Sequence, residues 1–185
     1  MFFCSLNNLK QLKMSYLYLG AICIMLFSCK KGAVELPVVG EVDLEKYSGT
    51  WYEIARLPNS FEKGLKCVTA TYRLREDGKI EVINRGHKTK KPGKISKIRG
   101  VARVPDMNQP AKLKVTFFWP FSGNYYIIEL DKDYRYALVG EPSRKYLWIL
   151  ARDKELEITI YEKLLRKAEE LGFDSKSVVE TDQDC

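Results

Sequence analysis

Few side chains in this 185-residue chain are placed to do covalent chemistry. The single histidine, His87, has no sequence-evident carboxylate and nucleophile to complete a triad, and no neighbouring ligand set for a metal; as a haem axial ligand it would act alone near a loop. The cysteines, at positions 4, 23, 29, 67 and 185, form no Cys-x-x-Cys pair, and no glycine-rich phosphate loop is present. Glu53 would carry a raised pKa if its side chain faced a closed interior, but a lone carboxylate there lacks a partner for acid–base work. The residues therefore assign no catalytic group, metal site or cofactor. Their spacing suggests non-covalent chemistry. Trp51 opens an aromatic-rich strand after Gly49, and Arg152 ends Trp148-Ile149-Leu150-Ala151-Arg152. A guanidinium over that indole would make a cation–π contact and donate its other hydrogens to nearby carbonyls. An ordinary core tryptophan and a solvated arginine are equally compatible with the spacing.

These residues need a scaffold, and the chain reads as one domain dominated by strands. Its length supports one sizeable core. The formal charge of +7 is spread among 24 acidic residues and forms no block, so no nucleic-acid site is indicated. Runs rich in β-branched and aromatic residues cover 51–57, 67–75, 80–85, 95–104, 113–118, 125–130, 136–139 and 146–152. Asp77-Gly78 marks a hairpin between the second and third runs. Short connections between eight strands predict an all-β, up-and-down antiparallel barrel, which leaves no free edge and can hold one small ligand. Asp43 should cap a single helical turn at one end. From Glu155 to Leu171, Leu156, Ile160, Leu164, Leu165, Ala168 and Leu171 recur at helical spacing before Gly172, predicting an α-helix packed outside the barrel. A short strand within 177–181 is expected after it.

The first 29 residues carry Lys10 and Lys13, an apolar run from Tyr16 to Met25, and Leu26-Phe27-Ser28-Cys29. This is the layout of a signal peptide, and the apolar run is shorter than the roughly 20 residues that cross a bilayer as a helix. The last four residues resemble the bacterial lipobox, which implies cleavage before Cys29 and acylation of its thiol. Lys30 and Lys31, with no aspartate beside Cys29, imply passage to the outer membrane. Residues 29–42 are expected to be a lipid-anchored tether, and 43–185 the domain.

Three segments in order, Gly49-Thr50-Trp51-Tyr52-Glu53-Ile54-Ala55-Arg56, Asp131-Lys132-Asp133-Tyr134 with Tyr136-Ala137-Leu138-Val139, and Trp148-Ile149-Leu150-Ala151-Arg152, resemble the lipocalin family. The likeness runs from Asp43 to Cys185 and is strongest to bacterial outer-membrane lipocalins and the apolipoprotein D group. The second segment departs from the commoner Thr-Asp-Tyr form. The resemblance implies that Arg152 lies across Trp51 at a closed end, with Gly49 alongside. It also implies that Cys67 and Cys185 form a disulfide pinning the tail, the alternative being a free Cys185 thiol.

The same resemblance places Tyr72, Asn84 and Phe117 in a ligand-binding calyx. Val82 and Val115 follow by alternation, Trp148 and Leu150 share the face of Arg152, and Glu129 as an outward residue sends Tyr126 and Ile128 inward. Arg85, Lys88, Lys90, Lys91 and Lys94 form a basic cluster at the mouth, with Phe61 and Leu65 in the first long loop and Trp119-Pro120-Phe121 extending the rim or stiffening a turn. The expectation is a membrane-tethered protein that stores or transports a fatty acid, lysophospholipid or similar hydrophobic molecule. The alternatives are an enzyme acting on an apolar substrate and an envelope scaffold. A homodimer is left open.

Overall fold

The structure is a computed structural model and describes residues 35–185. The expected signal peptide and the acylation site Cys29 lie outside the described residues. Residues 35–42 were expected to be tether, yet Leu36 is buried among the residues outside the barrel, and Val38, Val39 and Val42 pack against its interior cluster. Val39 N–H donates to the Ile127 carbonyl at 3.0 Å. Four apolar side chains in eight residues gain more from this burial than a solvated tether would.

Asp43 caps the turn α1 (Leu44–Tyr47), its carboxylate accepting from the Glu45 and Lys46 amides at 2.9 and 3.1 Å. Eight strands follow: β1 (Gly49–Arg56), β2 (Leu65–Leu74), β3 (Ile80–Lys88), β4 (Ile95–Arg103), β5 (Lys112–Phe118), β6 (Phe121–Leu130), β7 (Tyr136–Gly140) and β8 (Leu147–Ala151). Each pairs antiparallel with the next, and β1 pairs with both β2 and β8, so the sheet closes. The helix α2 (Ile158–Glu170) buries Leu164 and Ala168 against the outer faces of several strands, beside Ile128, Leu138 and Ile149. Gly172 stops it at φ +82°, a left-handed conformation that suits glycine at a helix C-terminus. A ninth strand, β9 (Val179–Glu180), pairs with Ala55 and Arg56 outside the barrel.

The barrel thus carries two apolar clusters: one inside, around Trp51, Tyr72, Val82, Ile127 and Leu150, and one between its outer wall and α2. Two β-bulges decide which residues serve which cluster. In β1 the register against β8 shifts between Glu53 and Ala55, and in β6 the register against β7 shifts between Ile127 and Glu129. An extra residue places two successive side chains on one face. Hence Ile54 and Ala55 both join the outer cluster, while Glu53 and Arg56 both face inward opposite Leu150 and Trp148. In β6, Ile128 and Glu129 both face outward, and the inward set becomes Tyr125, Ile127 and Leu130.

That second bulge corrects the placement of Tyr126 and Ile128. Glu129 does face outward, ion-paired to Lys163 of α2 at 2.9 Å. Simple alternation then fails one residue earlier: Ile128 is buried in the outer cluster and Tyr126 packs against it, with the Lys112 ammonium 5.6 Å from its ring.

Cys67 and Cys185 are joined by a disulfide. Cys67 sits at φ 49° in an irregularity of β2, where its amide donates to the Asp182 carbonyl at 2.7 Å. Lys66 pairs with Asp182 at 3.3 Å, and Gln183 Nε2 donates to the Glu53 and Val68 carbonyls at 2.8 and 3.0 Å. The C-terminal segment is thereby fastened along the gap between β1 and β2.

Candidate functional site: the calyx and its two ends

At the closed end the Arg152 guanidinium carbon lies 3.9 Å from the centroid of the fully buried Trp51 ring. Its Nη2 donates to the Lys46 and Ser48 carbonyls at 2.7 and 3.0 Å, its Nη1 to Thr50 at 3.0 Å, and its Nε to Tyr134 at 3.2 Å. The charge is thus spread over an aromatic face and a ring of backbone carbonyls at the closed end, which only a planar fork of donors can reach together. Gly49 has φ +102°, and a Cβ there would stand 3.1 Å from Arg152 Nη1, so glycine is required both for the backbone and for the guanidinium's passage.

Above this plug the interior has a polar floor. The Trp51 indole N–H donates to the Tyr47 carbonyl at 2.8 Å, and the Tyr125 hydroxyl hydrogen-bonds to those of Tyr47 and Tyr72 at 2.7 and 2.8 Å. Burial, before any other cause, raises the pKa of all three phenols, so they remain neutral hydrogen-bonding groups at physiological pH.

Over that floor lies a cavity of about 260 Å³. Tyr72, Val82, Asn84, Val115, Phe117, Trp148 and Leu150, the residues expected from the sequence, line it together with Val68, Thr69, Ala70, Tyr125 and Tyr146. Asn84 opposes Ala70, and Tyr72 opposes Val82, so these four share the inward face of β2 and β3. A second lobe of about 330 Å³ runs toward β4 and shares Phe61, Glu62, Val68, Asn84 and Phe117 with the first. Gly100 leaves room for Phe117: a Cβ there would fall 2.7 Å from its Cδ1. Asn84 Oδ1 accepts no hydrogen bond from any described residue, which makes it a free polar acceptor in an otherwise apolar wall.

One wall holds a charge cluster that sequence reasoning missed. The β1 bulge brings Arg56 Nε to 3.5 Å from Glu53, and Glu62, from the loop after β1, lies 3.4 Å from the same nitrogen. Glu62 also accepts from the Trp148 indole N–H at 3.2 Å and from the Asn59 amide, and Thr181 Oγ1 donates to Glu53 at 2.5 Å. Glu53 is therefore not a lone carboxylate. Its pKa is pushed up to about 8, first by burial and then by the neighbouring Glu62 charge, against the pull of Thr181 and Arg56. It is predominantly protonated at neutral pH and can donate to Glu62. Loop position hides Glu62 from any periodicity, and only the bulge puts Arg56 on the same face as Glu53. His87, opposite Lys66 on β3, does not line the cavity.

The open end is formed by the loops after β1, β3, β5 and β7. Phe61 meets Tyr146 and Trp148 at ring-centroid distances of 5.6 and 6.5 Å, and Tyr146 stacks on Trp148 at 6.0 Å, so an aromatic series leads from rim to cavity.

Comparison with known proteins agrees with this architecture. Residues 42–183 match the family model of the lipocalin-like domain. The chain is 39% identical over 171 residues to the outer membrane lipoprotein Blc of Vibrio cholerae, covering 92% of this chain and 99% of that protein. That span leaves about 15 residues uncovered and so takes in Cys29 even if all of them are N-terminal. Identity to Blc of Escherichia coli is 46% over 137 residues (74% and 77% of the two chains), and to apolipoprotein D of Macaca fascicularis 36% over 156 residues (80% of each). Among solved structures, insecticyanin of Manduca sexta superposes with a TM-score of 0.65 over 80% of this chain and 84% of its own, at 25% identity. These relatives place the protein in the outer membrane as a lipid-anchored lipoprotein. A closed eight-stranded calyx, plugged by Trp51 and Arg152 and matched along nearly the whole domain, makes this chain a member of the lipocalin-like family, whose members are generally binding and transport proteins.

Proposed function

We propose that the calyx binds one lipid with a hydrophobic chain and a polar end, a fatty acid or lysophospholipid, and stores or transports it in the bacterial envelope. The observation that carries this reading is the cavity itself: an apolar, aromatic-lined space above a neutral tyrosine floor, with Asn84 as a free acceptor and an aromatic series leading in from the mouth. No covalent step is part of it: the carboxyl group on the cavity wall whose pKa is raised, Glu53, is engaged by Thr181 and Glu62, and the buried phenols of Tyr72 and Tyr125 are held neutral in the floor. In the same reading residues 1–28 are removed, Cys29 becomes the acylated N-terminus, and a short tether leads to Glu35.

The test is native mass spectrometry of the mature protein extracted from its own envelope, with identification of the released lipid. Fatty acid or lysophospholipid at near one-to-one stoichiometry, reduced in Trp148→Ala and Phe117→Ala, is the expected result. An empty protein that takes up no offered lipid would remove the carrier reading, whether or not Cys29 proves to be acylated.

A further inference from the structure

We propose that the open rim of the barrel is a membrane-docking surface, which sets the mouth of the calyx against an anionic bilayer so that lipid passes between the two without crossing water.

Large apolar side chains are exposed mainly at this end. Of the ten that are solvent-exposed among the described residues, Phe61, Ile95, Phe118, Trp119, Phe121 and Tyr146 belong to the open-end loops or the strand ends beside them. Trp119, Phe121 and Phe118, at the tip joining β5 to β6, are 88%, 78% and 70% exposed. Three neighbouring rings held in water at one hairpin tip bury nothing of the protein's own, whereas the interfacial region of a bilayer accepts such rings readily.

Charge on the same rim selects the bilayer over other apolar occupants. Lys88 at the end of β3 and Lys90, Lys91 and Lys94 in the loop between β3 and β4 are all exposed, with no acidic residue in that loop and no ion-pair partner within 4.0 Å among the described residues. A basic fringe around an aromatic tip complements anionic headgroups over acyl chains, and each lysine near such a surface contributes about fivefold in binding. Two identical copies meeting face to face through this rim would instead oppose their lysine clusters. The rim is also continuous with the cavity, since Phe61, Arg85 and Phe118 line the outer lobe.

The anchor is long enough to permit this. Glu35 is ion-paired with Lys112, which lies six residues from Phe118 along β5, about 20 Å in strand length. The six residues from Cys29 to Glu35 also span up to about 20 Å when extended. Chain length therefore lets an acylated Cys29 and the rim enter the same bilayer. The inference concerns docking alone and does not depend on which lipid the cavity holds.

The test uses mature acylated protein reconstituted in phosphatidylethanolamine–phosphatidylglycerol vesicles carrying brominated acyl chains. A Trp148→Phe background leaves Trp51, sealed at the closed end, and Trp119 as the only indoles. Docking requires bromine quenching of Trp119 that disappears in Trp119→Phe. That quenching should also fall when Lys88, Lys90, Lys91 and Lys94 are changed together to Glu, or when phosphatidylglycerol is replaced by phosphatidylcholine. Trp119 and the four lysines are exposed, and far-ultraviolet circular dichroism should show both variants as folded as the Trp148→Phe background. If Trp119 stays unquenched by brominated lipid and open to aqueous iodide, the proposal fails. Shielding of Trp119 from iodide before vesicles are added would overturn it in favour of self-association. Native mass spectrometry of bound lipid is read separately, so failure of docking and failure of the carrier reading are distinguishable.

Discussion

Glu53→Gln should make the protein more stable at alkaline pH, against the usual outcome of removing a buried charged group. The Glu53 pKa stands at about 8 in the folded protein against 4.5 for the free side chain. A carboxyl group whose pKa is raised by folding contributes its full share below pH 4.5, where it is protonated in both states. As pH rises from 4.5 toward 8 the unfolded chain ionises first and folding loses free energy; above 8 the loss is complete. At about 1.4 kcal/mol per pH unit that loss amounts to as much as about 5 kcal/mol. Glutamine cannot ionise, yet it keeps an oxygen for the Thr181 hydroxyl and an N–H for Glu62, so the variant should lie within about 1 kcal/mol of the parent at pH 4. Urea unfolding at pH 4, 6, 7.5 and 9, followed by circular dichroism, gives the difference directly. The expected result is a gap that opens between pH 5 and 8 in favour of Glu53→Gln. If parent and variant remain parallel across that range, or the variant is weaker at pH 9, Glu53 is ionised in the fold and its place in the cluster has been misread.

Three further outcomes follow from the geometry. Cys185→Ser opens a bridge across a sequence separation of 118 residues and should lower stability by about 5 kcal/mol in the chain-entropy treatment, seen as a drop in the urea midpoint matched by reducing the parent. Arg152→Ala should cost about 2–4 kcal/mol through loss of the indole contact and the carbonyl hydrogen bonds, and Arg152→Lys should recover little of it, because an ammonium cannot reach that ring of acceptors. Gly100→Ala places a methyl 2.7 Å from both Phe117 Cδ1 and the Thr116 carbonyl oxygen, so about 1–3 kcal/mol of stability should be lost in urea unfolding and Phe117 driven into the cavity, with less lipid retained in native mass spectrometry.

The parts of the molecule legible in its sequence are those governed by local chemistry. Asp43 announces a cap, Asp77-Gly78 a hairpin and Gly172 a helix stop, and each is realised within a residue or two. Beyond the β2 irregularity at Cys67, and despite the shift of β5 against β6 after Val115, Tyr72, Val82, Asn84, Val115 and Phe117 keep simple alternation, which is why they could be put on one face and do meet around one cavity. Tether and body were harder to divide, because Pro37 and Gly40 signal an open chain while Leu36 beside them is buried and Val38, Val39 and Val42 are half-buried. Burial there is decided by surfaces of the folded barrel, the outer wall for Leu36 and the interior cluster for the valines, that no local pattern displays.

What stayed hidden traces largely to two inserted residues. A wall that must face a cavity on one side and a helix on the other cannot keep strict alternation wherever curvature demands a bulge, and β1 and β6 each carry one. In β6 the bulge exchanges Tyr126 and Ile128 for Tyr125 and Ile127, and Tyr125 is the residue that ties Tyr47 to Tyr72 in the floor. In β1 it turns Arg56 inward, so that a carboxyl group which looked solitary acquires a cation and, through the neighbouring loop, a second carboxylate. Besides Asn84, the bulges thus give this barrel its main polar features, a neutral phenol floor and a proton-sharing wall, set among side chains that are mostly apolar. The floor lies next to the sealed end, and the wall is joined through Trp148 to the aromatic rim. A lipid entering tail first would bury its chain toward the tyrosines and leave its head near Asn84, Glu62 and the lysine-fringed mouth, where a bilayer can hand it over.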